Sequence, residues 1–313
     1  MNKRDFVLSL LDKDSKPSGI PAGFFLHFDE AFHRGRPAVD KHLAYFRHTG
    51  MDFVKIQYEF SFPHLPQIQT PDDWANMPLY GKAFYQEQLD ILAGLLKEAQ
   101  KEALVIMTVY SPFMCAGSSA TKPLLNQHIR ETPYKVKKGM EIISDSLMIF
   151  VKECIKLGID GFYASTQGGE VDRFGGSPLF DECIKPYDLR LMEEMNRACI
   201  FNILHVCDFH SGYDDLTPFL DYPGHVVNVN PQLVSQSLSS KQLAQMFNRP
   251  FMGGLDRHGR LVDGSPEEIR QMVTKVLDDA PARFILGADC TLPHDINWDQ
   301  IRTAIDTAHQ YRR

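Results

Sequence analysis

The sequence predicts an α/β protein, a single (β/α)8 TIM barrel spanning residues 1–313, and three observations carry that prediction. Eight short apolar, β-prone runs alternate with longer helical stretches. Most of the runs are apolar on both faces, the pattern of a parallel sheet covered by helices. No Gly-x-Gly-x-x-Gly follows the first run, which weakens the dinucleotide-binding version of the competing open, doubly wound sheet. Closing eight units into a barrel also leaves no edge strand.

In chain order, the runs read as strands are 23–28, 52–58, 103–109, 161–165, 200–207, 225–230, 250–254 and 283–287. Helical periodicity falls at 38–48, 82–100, 134–157, 186–197, 216–220, 240–247 and 266–277, with a last helix at 298–311. Start signals support several of these. Ser265-Pro266-Glu267-Glu268 reads as an N-cap serine, a proline at the first helical position and a glutamate three residues on, a capping box. Ser239 and Asn297 stand in the same capping position before their helices. Gly158 after Lys156-Leu157 reads as a helix stop.

Composition narrows the function classes. Hydrophobic residues make up 43% and charged residues 23% of the 313, as in a globular domain with a large core. Net charge is −7 and no lysine- or arginine-rich block stands out, so neither nucleic acid nor an anionic membrane is an expected partner. No apolar run approaches membrane-spanning length and the first residues carry no signal core. Six cysteines without a secretory signal read as reduced thiols, which places the protein in the cytoplasm.

Two segments concentrate the chemistry. His205-Val206-Cys207 ends the fifth expected strand, and Cys290, in Gly287-Ala288-Asp289-Cys290-Thr291, lies just past the eighth. Residues i and i+2 of a strand point the same way, so His205 and Cys207 aim an imidazole and a thiolate at one point. Cys290 supplies a third soft ligand from another strand end. One nitrogen and two sulfurs suit zinc (Zn2+), and three protein ligands leave a fourth position open for chemistry. The competing reading is that Cys207 and Cys290 are ordinary buried cysteines, as Cys115, Cys154, Cys183 and Cys199 are taken to be. Active sites of this architecture gather at the C-terminal strand ends, where Asn230 also falls.

Other candidates sit on the same face. After the first strand come His27 and the polar loop His33-Arg34-Gly35-Arg36-Pro37, in which Arg34 and Arg36 are placed to grip a substrate carboxylate or phosphate. Glu59 is a general acid or base if it faces the pocket. Tyr110 opens a loop that reads as pocket lining, and Gln167-Gly168-Gly169 offers backbone amides to a ligand. Asp256 is positioned to orient a zinc-ligand imidazole. A metal-free use of His205 as general base stays open, though Cys207 then has no task.

The opening Lys3-Arg4-Asp5-Phe6, Ser111-Pro112-Phe113, Gly253-Gly254-Leu255-Asp256, Gly264-Ser265-Pro266-Glu267-Glu268-Ile269 and residues 286–300 together resemble the uroporphyrinogen decarboxylase superfamily. Within it, His205-x-Cys207 and the distal Cys290 are similar to the zinc-dependent methylcobalamin:coenzyme M methyltransferase branch. They are similar also to the catalytic barrel of cobalamin-independent methionine synthase, through Ala288-Asp289-Cys290-Thr291-Leu292. The resemblance implies zinc held by His205, Cys207 and Cys290, a small-molecule thiol acceptor, and a methyl-corrinoid donor on a partner protein. Asn230 stands where methionine synthase has a glutamate ligand, so it implies a fourth position held by water or substrate beside Asn230. The decarboxylase's Arg-Gln-Ala-Gly-Arg signature is absent, with Leu26-His27-Phe28-Asp29-Glu30 in its place. The expected function is thus zinc-dependent methyl (alkyl) transfer to a thiol. The alternatives are a metal-free carboxy-lyase acting on a tetrapyrrole, with Glu59 or His27 moving protons, and a binding module that senses or delivers a thiol or corrinoid.

Overall fold

A computed structural model describes residues 2–14, 19–57, 59 and 61–312. Seven parallel strands form one sheet in chain order: β1 (Phe53–Ile56), β2 (Leu104–Tyr110), β3 (Gly161–Thr166), β4 (Ile203–Val206), β5 (Val226–Val229), β6 (Phe251–Leu255) and β7 (Phe284–Ala288). A parallel pair cannot be joined by a tight turn, so the chain between neighbours crosses over, mostly through helices such as Gln86–Ala99, Pro133–Lys156 and Pro266–Asp278. These strands are buried throughout except at Tyr110 and Gly254, as their unbroken apolar runs require.

The first of the eight expected strands, 23–28, is not a strand. Residues 21–26 instead lie between the two edge strands and bond to both. Leu286 N donates to Pro21 O (2.8 Å) and Gly23 N to Leu286 O (3.0 Å), while Asp52 N donates to Ala22 O (2.9 Å). Only isolated bridges form, Ala22 with Leu286 and Leu26 with Leu292. Two local features explain why no ladder develops. Pro21 has no N–H to give, and the amide of Ala22 is taken by the Asp52 carboxylate at 2.8 Å. That carboxylate also receives Lys3 Nζ (3.3 Å) and His309 Nε2 (2.8 Å), which ties both ends of the described chain to the edge of β1. The expected closed barrel of eight regular strands is corrected to a seven-stranded parallel sheet with this irregular segment across its edges.

The helix signals hold where capping chemistry sets them. Ser265 and Glu268 form the reciprocal capping box, Ser239 does the same with Gln242, and Asn297 accepts from Asp299 N. Gly158 follows the long helix with φ +87°, the left-handed backbone that ends helices. Expected helix 216–220 is only a 3-10 turn, Thr217–Phe219, and the first turn of 82–100 is 3-10 as well, at Lys82–Tyr85. Residues 112–117, read as loop, belong to a helix, Pro112–Ser119, started by the Ser111 side chain and Pro112. The polar loop 33–37 shrinks because Gly35–Thr49 is helical from Gly35 onward. Tyr58, at the end of the second expected strand, lies outside the described residues.

Inside the sheet, below its C-terminal rim, Phe25, Phe53, Phe201 and Tyr163 form a chain of tilted and edge-on rings with centroids 5.3–5.8 Å apart. All six cysteines are buried and none forms a disulfide. At the start of β3, Gly161 meets the backbone two residues before β4: a Cβ there would overlap the Phe201 carbonyl oxygen. Gly161→Ala is therefore expected to destabilise the fold by about 3 kcal/mol, the upper range for overpacking. Gly158→Ala, strained in φ but with open space around it, costs about 1 kcal/mol. Urea midpoints of the two variants check this, and equal midpoints would show that the close backbone approach is not a constraint.

Candidate metal centre

The inward face of the sheet carries His205 in β4, in register with Ser165 of β3 and Asn228 of β5. Two residues on, where β4 has ended, Cys207 keeps the same direction because its amide still donates to Thr166 O at 3.0 Å. Cys290 stands two residues past the end of β7, where Asp289 N donates to Leu255 O (2.9 Å). The sheet's curl brings the three together. Cys290 Sγ lies 3.4 Å from His205 Nε2 and 4.0 Å from Cys207 Sγ. All three ligand atoms lie within 4.8 Å of one another, and all three residues are buried.

Two of the three side chains are oriented by neighbours outside the cluster. His205 Nδ1 faces the Asn228 carbonyl at 3.3 Å. A carbonyl only accepts, so Nδ1 carries the proton and Nε2 presents its lone pair toward the cysteines. Gln167 Nε2 donates to Cys207 Sγ at 3.3 Å, and Arg173 Nη1 donates to Gln167 Oε1 at 3.2 Å, which fixes the amide with its donor toward sulfur. The hydrogen bond from Cys290 holds the Cys207 thiol well below its usual range against the opposing effect of burial. The same hydrogen bond, with burial, pushes Cys290 well above it. The two thiols are thus pushed in opposite directions by one shared sulfur–sulfur contact. One imidazole nitrogen and two sulfurs at these separations are the donor set and the spacing that zinc takes.

Beside these three residues opens a cavity of about 180 Å³, with Lys55, Thr108, Tyr110, Gln167 and His27 on its wall. Lys55 extends from β1 into the interior, donates to Gln57 Oε1 (2.7 Å), and lies 4.4 Å above both the Phe25 and Tyr163 rings. Burial lowers its pKa to about 7. Thr108 is buried and its Oγ1 has no hydrogen-bond partner among the described residues. A buried cation and an unspent hydroxyl on one wall suit a polar or negatively charged ligand.

Of the remaining expected residues, His27 and Tyr110 line the cavity. Glu59 sits behind His27, 2.9 Å from its Nδ1. Burial pushes the Glu59 carboxyl up, but the hydrogen bond and charge of His27, with His33 and His42, more than offset this and hold it below its usual value. Glu59 is thus a carboxylate hydrogen-bonded to His27, behind the cavity wall rather than on it. Gln167 reaches the site through its side chain rather than through the expected backbone amides, because Gly168 N is taken by Glu170 Oε2 at 2.5 Å. Arg34 and Arg36 do not reach the cavity. Arg34 pairs with Glu87, and Arg36 with Asp40 and Glu98, on the exposed start of a helix. Asp256 is exposed and accepts from His258 N in a local turn; the imidazole is oriented by Asn228 O instead. Asn230 does not face the three ligands either: its Nδ2 donates to Asp208 (2.6 Å) and its Oδ1 accepts from Gln232 N (2.9 Å).

Sequence reasoning missed Lys55, Asn228, Tyr163 and Arg257. The signal for two of them was present: Lys55 interrupts Phe53-Val54-Lys55-Ile56, and Asn228 interrupts Val226-Val227-Asn228-Val229. A lone polar residue inside a doubly buried strand needs a partner within the protein. Lys55 also has a consequence for stability. Its folded-state pKa is depressed to about 7 from 10.5, so the unfolded chain binds more protons between those values. Stability should then rise with pH across about 7 to 10. In Lys55→Met that rise should flatten, as urea midpoints at pH 7 and pH 10 would show. A pH dependence identical to wild type would mean that the amine is not desolvated.

The uroporphyrinogen decarboxylase (URO-D) family model matches residues 46–311. The uroporphyrinogen decarboxylase of Aquifex aeolicus is 22% identical over 227 residues, which are 69% of this chain and 63% of that enzyme, so the match spans less than two thirds of the relative. Among solved structures, a methyltransferase from Methanosarcina mazei aligns over 98% of both chains with a TM-score of 0.76 at 11% identity. A B12-independent methionine synthase from a Shewanella species, in complex with selenomethionine, aligns over 94% of this chain and 95% of its own with a TM-score of 0.55, also at 11% identity. At such identities the likeness is one of fold. The family match, which runs through β1 to β7 and includes all three candidate ligands, shows that the chain belongs to the uroporphyrinogen decarboxylase family.

Proposed function

We propose that this protein is a zinc-dependent transferase that moves a methyl or other alkyl group onto a small-molecule thiol, with a methyl-corrinoid on a partner protein as donor. The observation that carries the reading is the buried His205–Cys207–Cys290 cluster on the wall of a cavity. Its donor set fits zinc, and among the described residues no carboxylate joins the three, which leaves a position for substrate. A zinc ion bound there supplies the positive charge that keeps a thiol in its nucleophilic thiolate form at neutral pH. The surrounding segment 21–26 supports the finer architectural reading of a (β/α)8 barrel in which an irregular first unit stands in for a strand.

The chain's own residues do the rest. Cys207 and Cys290 bring two negative charges and His205 none, so a site loaded with a divalent cation is neutral before substrate arrives. Gln167, donating to Cys207, draws charge from that sulfur and favours the incoming one. Lys55 and Thr108 face the space where the acceptor lies and offset the charge of its thiolate. His27, held at Nδ1 by Glu59, is placed on the cavity wall to accept the proton the thiol gives up. Phe209 lines the cavity and is 57% exposed, giving the rim an apolar contact for the donor. The carboxy-lyase alternative needs cations to grip several carboxylates, and Arg34 and Arg36 are paired elsewhere. The chemistry asks for reduced thiols, as in the cytoplasm, and six cysteines without a disulfide agree with that.

Protein purified without added metal is expected to hold about one zinc per chain, falling several-fold in Cys207→Ser and in Cys290→Ser. Elemental analysis with quantified protein decides it: negligible zinc in wild type sinks the reading. Because both thiols must lose protons to bind a metal, zinc affinity should weaken steadily as pH is lowered. Chelator competition at several pH values reads this, and a pH-independent affinity would mean that the cysteines are not ligands. For transfer, Lys55→Met should raise KM for an anionic thiol about tenfold, roughly 1.4 kcal/mol, with zinc content unchanged. An unaltered KM would remove Lys55 from the binding wall.

A further inference from the structure

We infer that Arg257 is a positioning residue for the metal centre: its guanidinium fixes the separation of the two cysteine-bearing turns. The inference rests on the reading of His205, Cys207 and Cys290 as zinc ligands. Arg257 follows the end of β6 and touches none of the three. One of its nitrogens, Nη1, donates to Asp208 Oδ1 (2.8 Å) and to Asp289 Oδ2 (2.7 Å). Its backbone N–H donates to Asp289 Oδ1 (2.7 Å), so both oxygens of that carboxylate are held by one residue. Asp208 is the residue after Cys207 and Asp289 is the residue before Cys290. The clamp therefore grips both turns one residue from each sulfur.

All three side chains are largely buried, with the guanidinium 12% exposed and the carboxylates 9% and 7%. At that depth a bridging hydrogen bond is geometrically specific and two unbridged carboxylates repel strongly. Asn230 completes the arrangement by donating to the other oxygen of Asp208, which is where that residue's amide is spent. Without Arg257, two buried carboxylates would face each other across the turns that carry Cys207 and Cys290. The simplest relief is for those turns to separate, and the sulfurs, 4.0 Å apart, would move with them. Neutralising Asp289 in that background removes the repulsion and should bring the turns back.

The test uses full-length protein, zinc affinity by competition with a chromophoric chelator, and thermal midpoints of the metal-free forms. Arg257→Met is expected to weaken zinc by about 10–100-fold, the range seen when a group supporting a metal ligand is lost. Arg257→Lys, whose ammonium can still bridge two carboxylates, and the double variant Arg257→Met/Asp289→Asn should each recover most of it. Arg249→Met serves as the structural control. Arg249 bonds backbone carbonyls of Leu220, Tyr222 and Gly224, so its loss should lower the midpoint without altering zinc affinity. A second reading needs no metal: diamide takes two electrons and two protons from a close thiol pair, and it should link Cys207 to Cys290 more slowly in Arg257→Met than in wild type. Zinc affinity in Arg257→Met equal to wild type, or a loss matched by Arg249→Met, overturns the inference. If wild type takes no zinc, the functional reading falls, while an unchanged diamide rate in Arg257→Met overturns the clamp on its own.

Discussion

The amide of Asn228 is the interaction on which the site's geometry hangs. Its Nδ2 donates to Met252 O and Ala288 O, both at 3.0 Å, and its Oδ1 accepts from Tyr163 OH at 2.5 Å. Its backbone carbonyl faces His205 Nδ1. One residue of β5 thereby reaches β3, β4, β6 and the end of β7, and nothing on its side chain is left unsatisfied. A fully satisfied polar group in an apolar interior specifies one arrangement of its neighbours far more narrowly than an aliphatic residue would. Tyr163, held by the same amide, packs its ring against His205 with centroids 5.0 Å apart, so the imidazole is restrained from two directions.

Charge is handled by enclosure as much as by pairing. The chain carries a net −7, yet Lys55, Arg173 and Arg257 are drawn inward around the cysteines. Arg173 pairs with Glu170 and steers Gln167, Arg257 holds Asp208 and Asp289, and Lys55 rests between two aromatic faces. Each cation acts through a different neighbour, so the electrostatics around the sulfurs are distributed over β1, β3 and β6 and the turns that follow them.

Much of this was legible in the sequence because it follows from strict local rules. Period-two alternation put His205 and Cys207 on one face, and parallel order with active groups at the C-terminal strand ends put Cys290 opposite them. Capping boxes marked the helices at 239 and 265 because reciprocal side-chain bonds work over three residues. What failed was set by tertiary partners. Residues 23–28 have strand composition, but the Asp52 side chain takes the amide that a ladder would use. Asn230 and Asp256 stand at strand ends as the pattern requires, yet past a strand end the ladder no longer dictates direction, and each finds a nearer partner. Arg34 and Arg36 were read by proximity in sequence to the first unit, whereas the helix they begin turns them outward to Glu87, Asp40 and Glu98. Lys55 and Asn228 were overlooked because apolar neighbours masked them in a window average.

The burial of the other cysteines bears on where sulfur chemistry can take place in this fold. Burial pushes the thiols of Cys154, Cys183 and Cys199 upward, Cys199 to about 12, so at neutral pH these sulfurs remain protonated and poorly nucleophilic. Cys115 is enclosed as well, beneath the helix Pro112–Ser119 on which it lies. The sulfurs that face the cavity are the pair beside His205. An electrophile that entered the cavity would meet these two sulfurs ahead of the four enclosed in the core. Packing thus separates the sulfurs that chemistry can reach from those that only fill space.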